Sequence, residues 1–257
     1  MVFLRYLRFR LQAGDAHTIH SPFVFRLYTD VIKQWRPYSC YETIEDSRAQ
    51  LRASPESIEV TDYGAGSKRL RSGSRRVRDI ARWSEKSPRL AQLLFRLVNH
   101  FQPNVIFDLG TSLGTTTLYL AHARQKAQLY TFEGDRRLAA IAQRRSDKFG
   151  LRNVVPVLGN IDEKLPETLP TVERLDFVFF DANHRREPTL RYFSQCLEKA
   201  HPGSLFVFDD IYWSAEMQQA WQQIQAHPSV TLTIDLFFVG LVFFRENQPK
   251  QHFRLRL

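Results

Sequence analysis

Seven short apolar runs, most of them separated by stretches of helical periodicity, dominate the chain after residue 103. The runs are 104-NVIFDLG, 128-QLYTFEG, 153-NVVPVLG, 175-LDFVFFDA, 204-SLFVFDD, 230-VTLTIDLF and 238-FVGLVFFR. Helical patterns lie between them at 115–125, 136–149, 163–170, 188–200 and 214–227. Continuous apolar strands that alternate with helices are typical of a buried parallel sheet. We therefore predict an α/β fold with a mostly parallel sheet of seven strands.

Both ends of the chain depart from this alternation. No helix separates the last two runs, so we predict an antiparallel hairpin at one edge of the sheet, turning near Gly240. Residues 1–87 indicate mainly helices and irregular connections, and Ser21-Pro22 marks a helix start. A strongly amphipathic helix follows at 88-PRLAQLLFRLVNHF-101. We predict a basic, mainly helical, substrate-selecting region over residues 1–87 and a cofactor-binding domain over residues 88–257.

The positive charge is concentrated in the N-terminal part. Residues 1–100 contain 18 Lys and Arg against 10 Asp and Glu, and so carry eight of the nine net positive charges. Such a region either contacts an anionic partner or is a solvated basic face. Both interpretations stay open from the sequence.

Composition excludes several classes of protein. Two distant cysteines, Cys40 and Cys196, indicate neither a disulfide framework nor a zinc cluster and fit a reducing compartment. Arginines interrupt the first 14 residues, so these are not a secretory signal. No stretch approaches the ~18 uninterrupted apolar residues of a membrane span. We predict a cytoplasmic protein.

Two stretches contain a glycine turn that could hold a nucleotide-like ligand. In 60-VTDYGAGSKRLRSG-73 the turn leads into basic, polar residues without apolar periodicity. In 104-NVIFDLGTSLGTTTLYLA-121 a strand leads through two glycines into a helix, so that backbone and helix N-terminus can approach a ligand. We therefore assign cofactor binding to Asp108–Thr116. Asp62–Lys68 is predicted to be a basic loop, either a lid or a surface connection.

The residues of the second turn favour a cationic nucleoside. The spacing Gly110-x-x-x-Gly114 lacks the third glycine of a dinucleotide fold, and no phosphate-binding Gly-Lys-Ser/Thr follows. Asp108 would repel phosphate but suits a cation, and Glu133 at the end of the next strand can accept both ribose hydroxyls. S-adenosylmethionine has this chemistry, with an adenosine, a sulfonium and an amino acid tail.

Five motifs, each at the C-terminal end of a predicted strand, carry a family resemblance. They are 106-IFDLGTSLGTTTLYLA-121, 130-YTFEGD-135, 158-LGNIDEKLP-166, 175-LDFVFFDANH-184 and 205-LFVFDDIYW-213. Over about residues 88–257 the chain resembles the class I S-adenosylmethionine-dependent methyltransferases. It is most similar to their metal-dependent O-methyltransferases of the catechol and caffeoyl-CoA type. The resemblance implies a Rossmann-like sheet and a methyltransferase activity.

The resemblance also implies cofactor contacts. The methionine part would lie against the glycine turn, and Glu133 would bind the ribose. The residues expected at the turn are Asp108, Gly110, Ser112, Gly114 and Thr116. Along the adenine edge we expect Gly159, Asn160 and Ile161, although the family often has a polar side chain where Ile161 stands. Helix capping is the structural alternative for Ser112 and Thr116.

Three carboxylates follow two neighbouring strands of the predicted sheet. Asp181 ends one apolar run, and Asp209 and Asp210 end another. Carboxyl ends of parallel strands converge on one crevice, where three acids would repel one another unless a cation such as Mg²⁺ or Mn²⁺ lies between them. Related enzymes have Asp, Asp and Asn here, so Asp210 is a departure. Alternatively, one Asp caps the following helix and Asp181 only orients the cofactor.

His184 is the candidate general base. Relatives often carry Lys at this place, and an imidazole with an ordinary pKa near ~6.5 can take a hydroxyl proton at neutral pH. A surface histidine beside Arg185 and Arg186 is the alternative. We thus predict methylation of a small hydroxyl-bearing, possibly acidic, acceptor, with Asp181 and His184 as catalytic residues and Asn183 orienting the substrate.

Two other interpretations are kept, and the oligomeric state stays open. An RNA or other nucleic-acid methyltransferase would use the basic N-terminal part, in particular Arg69, Arg71, Arg75, Arg76 and Arg78. A cofactor-binding adaptor at a membrane surface would use the helix with Phe3, Leu4 and Leu7, although we expect this stripe to pack on its own domain. Many relatives form homodimers, and the sequence does not decide this.

Overall fold

The computed structural model describes residues 2–61 and 73–257. These residues form two compact units, Met1–Gln34 with Leu169–Leu257 as the first and Trp35–Thr168 as the second. The basic loop predicted at Asp62–Lys68 lies outside the described residues. Among those that are described, no helix is both long enough and apolar enough to cross a bilayer.

In its described residues, the second unit contains three parallel strands and six α-helices. The strands are β3 (Val105–Leu109), β4 (Gln128–Glu133) and β5 (Val154–Leu158), with β4 between the other two. The helices are α3 (Ser39–Ala53), α4 (Val77–Trp83), α5 (Pro88–Phe101), α6 (Thr115–Ala123), α7 (Arg136–Lys148) and α8 (Ile161–Thr168). A small antiparallel hairpin of β1 (Ser57–Val60) and β2 (Gly73–Arg76) precedes α4.

Local sequence signals explain where these helices begin. Ser87 caps α5, accepting a hydrogen bond from the backbone N–H of Leu90, and Pro88 occupies the first turn, where it loses no helical hydrogen bond. Asp135 caps α7, accepting from the backbone N–H groups of Arg137 and Leu138. The apolar faces of β1, α4 and α7 meet in one buried cluster, which contains Leu113 of the glycine turn. The turn after β3 is therefore held in place by core packing.

The first unit contains five strands in the order β10-β8-β9-β7-β6. They are β6 (Phe177–Phe180), β7 (Leu205–Asp209), β8 (Leu232–Asp235), β9 (Val239–Phe243) and β10 (Gln251–Arg254). β6 and β7 are parallel, as are β8 and β10, whereas β9 runs antiparallel to β7 and β8. Its helices are α1 (Val2–Gln12), α2 (Pro22–Leu27), α9 (Arg186–Leu197) and α10 (Ala215–Ala226). The α/β class, the seven predicted strands and the helical N-terminal region are confirmed.

Two details of the predicted hairpin are wrong. β8 and β9 do not form an edge, because β10 pairs with β8 on the outer side. The turn lies at Leu236–Phe238, with Phe237 at φ 71°, and Gly240 is inside β9. A Cβ atom at Gly240 would lie 2.5 Å from the ring of Trp221, so this glycine makes room for α10 and does not form a turn.

One face of α1 does not pack as expected. Leu4, Leu7 and Leu11 are 70%, 43% and 85% exposed. The buried side of the helix is formed by Phe9, and Ala13, directly after the helix, is buried in the same cluster. The prediction that this stripe packs on its own domain is therefore wrong for Leu4 and Leu7, because Phe9 provides the contact, and the side chain of Phe3 lies outside what the structure describes.

Candidate active site

The glycine turn of the second unit combines three left-handed residues within five positions. Gly110, Ser112 and Gly114 have φ angles of 115°, 50° and 80°. A Cβ atom at Gly114 would lie 2.8 Å from Cβ of Ala142 on α7, so only glycine fits there without displacement. The backbone N–H groups of Gly110 and Thr111 donate to the carbonyl of Phe132, at 3.2 and 3.0 Å. The turn thus connects β3 to α6 while lying close against α7 and β4.

Glu133, at the end of β4, is attached to this turn. Its Oε2 accepts from the backbone N–H of Ser112 at 2.7 Å, and its Oε1 accepts from that of Asp135 at 2.9 Å. Burial raises the pKa of Glu133 to about 7, although the same backbone N–H groups oppose the rise. Each carboxylate oxygen can accept a second hydrogen bond, so the group is oriented and retains capacity for ribose hydroxyls.

Asp108 is enclosed within the unit and has no exposed surface. Its Oδ2 accepts from the hydroxyls of Thr117 on α6 and Thr131 on β4, at 2.6 and 2.9 Å. Burial raises its pKa to about 6, against the effect of these two hydrogen bonds. Oδ1 is buried without a hydrogen-bond partner in the described part of the chain. Asp108 therefore ties three elements together beneath the turn, and its direct contact with a ligand stays a prediction.

The residues predicted for the adenine edge follow β5. Gly159, with φ 134°, donates its backbone N–H to the carbonyl of Glu133 at 2.9 Å. Asn160 accepts through Oδ1 from the backbone N–H of Asp162 at 3.1 Å, and Ile161 is the first residue of α8. β3, β4 and β5 are parallel and in register, so the predicted cofactor residues of this unit gather at one end of three strands.

A buried ion network supports the glycine turn, and sequence reasoning missed it. The side chains of Glu85, Arg48 and Arg145 are 3%, 1% and 8% exposed. Arg145 Nη1 donates to the carbonyl of Leu113 at 2.6 Å and to Thr115 Oγ1 at 2.8 Å, and the Thr115 hydroxyl donates to Glu85. Arg48 Nε lies 3.7 Å from Glu85 Oε2. No motif marks these residues, because Arg48 and Arg145 lie on helices, where charges normally indicate a solvated face, and Glu85 lies in the connection between α4 and α5.

The first unit brings together Asp181, His184 and Asp209. One potential ligand atom from each lies within 4.8 Å of the other two. The register pairs Phe180 of β6 with Phe208 of β7, and their rings stack at 4.2 Å, so the acid that follows each ring lies beside the other. Two carboxylates and an imidazole at this spacing fit a divalent cation.

The predicted metal set differs from this cluster in one member. Asp210 is not part of the group of potential ligands found among the described residues, whereas His184 is. His184 Nε2 lies 3.5 Å from Asp181 Oδ1. The assignment of Asp181, Asp209 and Asp210 to a metal stays a prediction, and the geometry adds His184 as a candidate ligand.

The loops around the cluster hold side-chain-bearing residues in the left-handed region. Asn183, His184 and Asp210 have φ angles of 66°, 40° and 52°. Asn183 Nδ2 donates to the hydroxyl of Tyr192 at 3.4 Å, and the backbone N–H of Asp210 donates to the carbonyl of Phe238 at 2.8 Å. Such conformations persist where the surrounding structure enforces them, and they are frequent at functional sites.

Comparison with known proteins agrees with this architecture. Residues 107–211 match a family model described as a methyltransferase domain. A catechol O-methyltransferase from Niastella koreensis is 33% identical over 128 residues, which are 49% of this chain and 57% of that protein. The match thus spans little more than half of the curated relative.

Solved structures share the fold at lower identity. An O-methyltransferase from Bacillus cereus in complex with SAH has a TM-score of 0.58 at 19% identity, over 86% of this chain and 97% of the other. The O-methyltransferase TomG from Streptomyces achromogenes, involved in tomaymycin synthesis and solved with SAM, has a TM-score of 0.57 at 18% identity, over 84% and 94%. The predicted resemblance to O-methyltransferases is confirmed, and it rests on the match of residues 107–211 to the methyltransferase-domain model and on the catechol O-methyltransferase relative.

Proposed function

We propose that the chain transfers a methyl group from S-adenosylmethionine to an oxygen of a small hydroxyl-bearing acceptor, with a divalent cation. The observation that carries this proposal is the cluster of Asp181, His184 and Asp209 at the ends of two parallel strands. It is supported by the match to a methyltransferase domain and by the name of the catechol O-methyltransferase relative.

In this proposal the second unit binds the cofactor. Glu133, whose two oxygens are already oriented by backbone N–H groups, accepts hydrogen bonds from the ribose hydroxyls. The buried charge of Asp108 lies below the turn and favours a cationic ligand there. Gly110 and Gly114 let the backbone approach the methionine part, while Gly159, Asn160 and Ile161 border the adenine.

The first unit binds and activates the acceptor. A divalent cation, when bound there, would supply a Lewis acid that favours ionisation of the acceptor hydroxyl. Asp181 and Asp209 provide two negative charges to hold the cation. His184 accepts the hydroxyl proton or serves as the third ligand, and its contact with Asp181 orients the imidazole in either role. The acceptor oxygen forms the new bond to the methyl carbon, and the sulfur keeps the electron pair of the bond that breaks.

Calorimetry tests the cation site directly. Mg²⁺ and Mn²⁺ are titrated into protein saturated with S-adenosylhomocysteine, for the wild type, Asp209→Asn and the neighbouring Asp210→Asn. We expect one-site binding that Asp209→Asn abolishes and Asp210→Asn retains, because only Asp209 belongs to the cluster. Undiminished binding in Asp209→Asn would contradict the proposal. His184→Ala separates the two roles of the imidazole. Loss of a metal ligand lowers the affinity for the cation, whereas loss of a general base lowers only turnover.

Turnover provides the second readout. With catechol and phenolic acids as acceptors, we expect Asp209→Asn to lower kcat by at least ~100-fold, the effect of removing one preorganised charge from a reacting centre. S-adenosylhomocysteine binding should be unchanged, since Asp209 is not among the predicted cofactor residues. A variant that kept full activity would exclude the cation-dependent scheme.

A cytoplasmic location and a homodimer stay predictions.

One surface feature favours the alternative of a nucleic-acid methyltransferase. A groove in the second unit is lined by Arg52, Arg78, Arg82 and Trp83, together with Asp79. Trp83 is 48% exposed, and the guanidinium of Arg82 lies 5.1 Å from its ring. Arginines beside an exposed aromatic ring suit phosphates and bases. RNA binding that falls steeply with salt and is lost in Arg78→Glu/Arg82→Glu would support it, whereas the absence of RNA binding would exclude it.

A further inference from the structure

The inner face of α1 fixes the orientation of the helix on the first unit. Phe9 is 5% exposed, and its ring lies 5.3 Å from that of Phe237 in the β8–β9 turn. Tyr6 lies 5.0 Å from the same ring, and Ala13 is buried in the same cluster. Arg5 adds a hydrogen bond to the carbonyl of Tyr212, at 3.3 Å. These contacts leave the opposite face of α1 pointing away from the unit.

The outer face carries an exposed ridge of three leucines. Leu4, Leu7 and Leu11 are 70%, 43% and 85% exposed. At 3.6 residues per turn these positions fall within an arc of about 60°, roughly opposite Phe9. α1 thus packs one apolar face on its own unit and exposes a second apolar face. An exposed apolar face of this kind marks an interaction site.

Positive charge borders the leucine ridge on both sides. Arg8 and Arg10 are exposed, and the helical geometry places them about 40° and 60° beyond opposite edges of the ridge. α1 contains no Asp or Glu. Long arginine side chains at the edges of an apolar ridge can reach outward to anions while the leucines are buried.

We propose that α1 is an interfacial helix that docks on an anionic membrane surface. Its leucine ridge enters the boundary between headgroups and acyl chains, and Arg8 and Arg10 contact the lipid phosphates. A second copy of the chain fits less well, since pairing two such ridges would oppose like charges. A stable protein partner would require about 20–30 residues on each side, which a narrow convex ridge does not provide.

Vesicle flotation tests the proposal with the full-length chain. Vesicles are made of phosphatidylcholine alone or with one quarter phosphatidylglycerol. We expect binding to the anionic vesicles only, decreasing with added salt. Each arginine contributes about 1 kcal/mol to binding near such a surface. The variant Arg8→Glu/Arg10→Glu should therefore lower the partition coefficient at least about 30-fold. Leu4→Ser/Leu7→Ser/Leu11→Ser should abolish binding at any salt concentration.

The controls separate α1 from net charge and folding. Lys126→Glu/Arg144→Glu makes the same change in net charge at exposed positions outside α1 and should bind nearly as the wild type. Circular dichroism and S-adenosylhomocysteine binding establish that each variant is folded. The proposal is overturned if the wild type does not bind anionic vesicles, or if the control pair loses as much binding as the α1 pair. It is equally overturned if sedimentation velocity shows a dimer that the leucine substitutions dissociate.

Discussion

Both compact units have residues with positive φ angles beside their candidate sites, but the residue types differ. In the second unit, left-handed positions next to the candidate cofactor residues are mostly glycines, namely Gly110, Gly114 and Gly159. In the first unit, the left-handed positions include Asn183 and His184, of which His184 belongs to the cluster with Asp181 and Asp209. Glycine adopts positive φ without steric cost, whereas residues with a Cβ pay for it.

The difference teaches what each site requires of the chain. Under the proposed function, a large ligand lies along the backbone of the second unit and needs space, which the glycines leave at the turn. A small cation and a hydroxyl need side-chain atoms, which agrees with an imidazole at His184 despite its φ angle of 40°. The second unit is also supported by the buried ion network around Glu85, which fixes its turn from below.

The largest expected effect is in that network. Glu85→Ala leaves the buried guanidinium groups of Arg48 and Arg145 without their common carboxylate, which should cost about 3–5 kcal/mol of unfolding free energy. Urea denaturation measures it. Glu45→Ala is the control, because Glu45 also pairs with Arg48 but is 28% exposed; it also removes the acceptor of the Tyr119 hydroxyl, so that the variant should cost about 1–2 kcal/mol. Equal losses in both variants would show that burial of the network is unimportant.

A pH-dependent difference is expected at Asp108. Its folded-state pKa is raised from 3.8 to about 6 by burial. Folding therefore favours the protonated form of Asp108. The resulting contribution to the free energy of unfolding is fully present below pH 3.8 and is lost as the pH rises through about 6. Relative to Asp108→Asn, the wild type should lose about 2.4 kcal/mol between pH 4 and pH 8. Denaturant titrations across this range measure the difference, and parallel curves would disprove the shift.

Cofactor affinity should respond to Glu133. Glu133→Gln removes a charged acceptor, worth about 1.5–3 kcal/mol, and should weaken S-adenosylhomocysteine binding by about 10–100-fold. Wild-type affinity should rise as the pH rises through about 7, where the carboxyl ionises, and the variant should lack this rise. Calorimetry measures both, with exposed Glu163→Gln as control. Unaltered affinity in Glu133→Gln would remove Glu133 from the cofactor site.

The smallest effect tests the strain at the acid cluster. His184→Gly and His184→Ala both remove the imidazole, but only glycine adopts φ 40° without cost. The glycine variant should be about 1 kcal/mol more stable than the alanine variant, which corresponds to a difference in Tm of roughly 2–4 °C. Thermal unfolding measures it. An equal or higher Tm for the alanine variant would show that the backbone at residue 184 relaxes without its side chain.

Periodicity was sufficient to predict the fold because buried strands leave continuous apolar runs. The turn at Gly110 could also be distinguished from the glycine turn in residues 60–73, since only the turn at Gly110 leads into an apolar helical pattern. The edge strand β10 escaped prediction because its residues alternate between half-buried and exposed positions and form no apolar run. Gly240 was interpreted as a turn residue, although the ring of Trp221 is what excludes a side chain there.

The supporting contacts of the site depend on distances that a sequence does not contain. Arg48 and Arg145 are 97 residues apart, and both pair with Glu85. The inclusion of His184 in the acid cluster, and the exclusion of Asp210, follow from the two loop conformations. The outward leucine ridge of α1 likewise requires knowing that Phe9 provides the inward contact.

The packing of α1 has a consequence for measurements on the acid cluster. α1 rests on Phe237, which stacks on Tyr212 at 4.9 Å, and Phe238 accepts the backbone hydrogen bond of Asp210. If docking of α1 alters these contacts, it also alters the affinity of the neighbouring cluster for its cation. Thermodynamic reciprocity then requires the cation to change the affinity of α1 for its surface by the same factor. Lipid and metal would be allosteric effectors of each other.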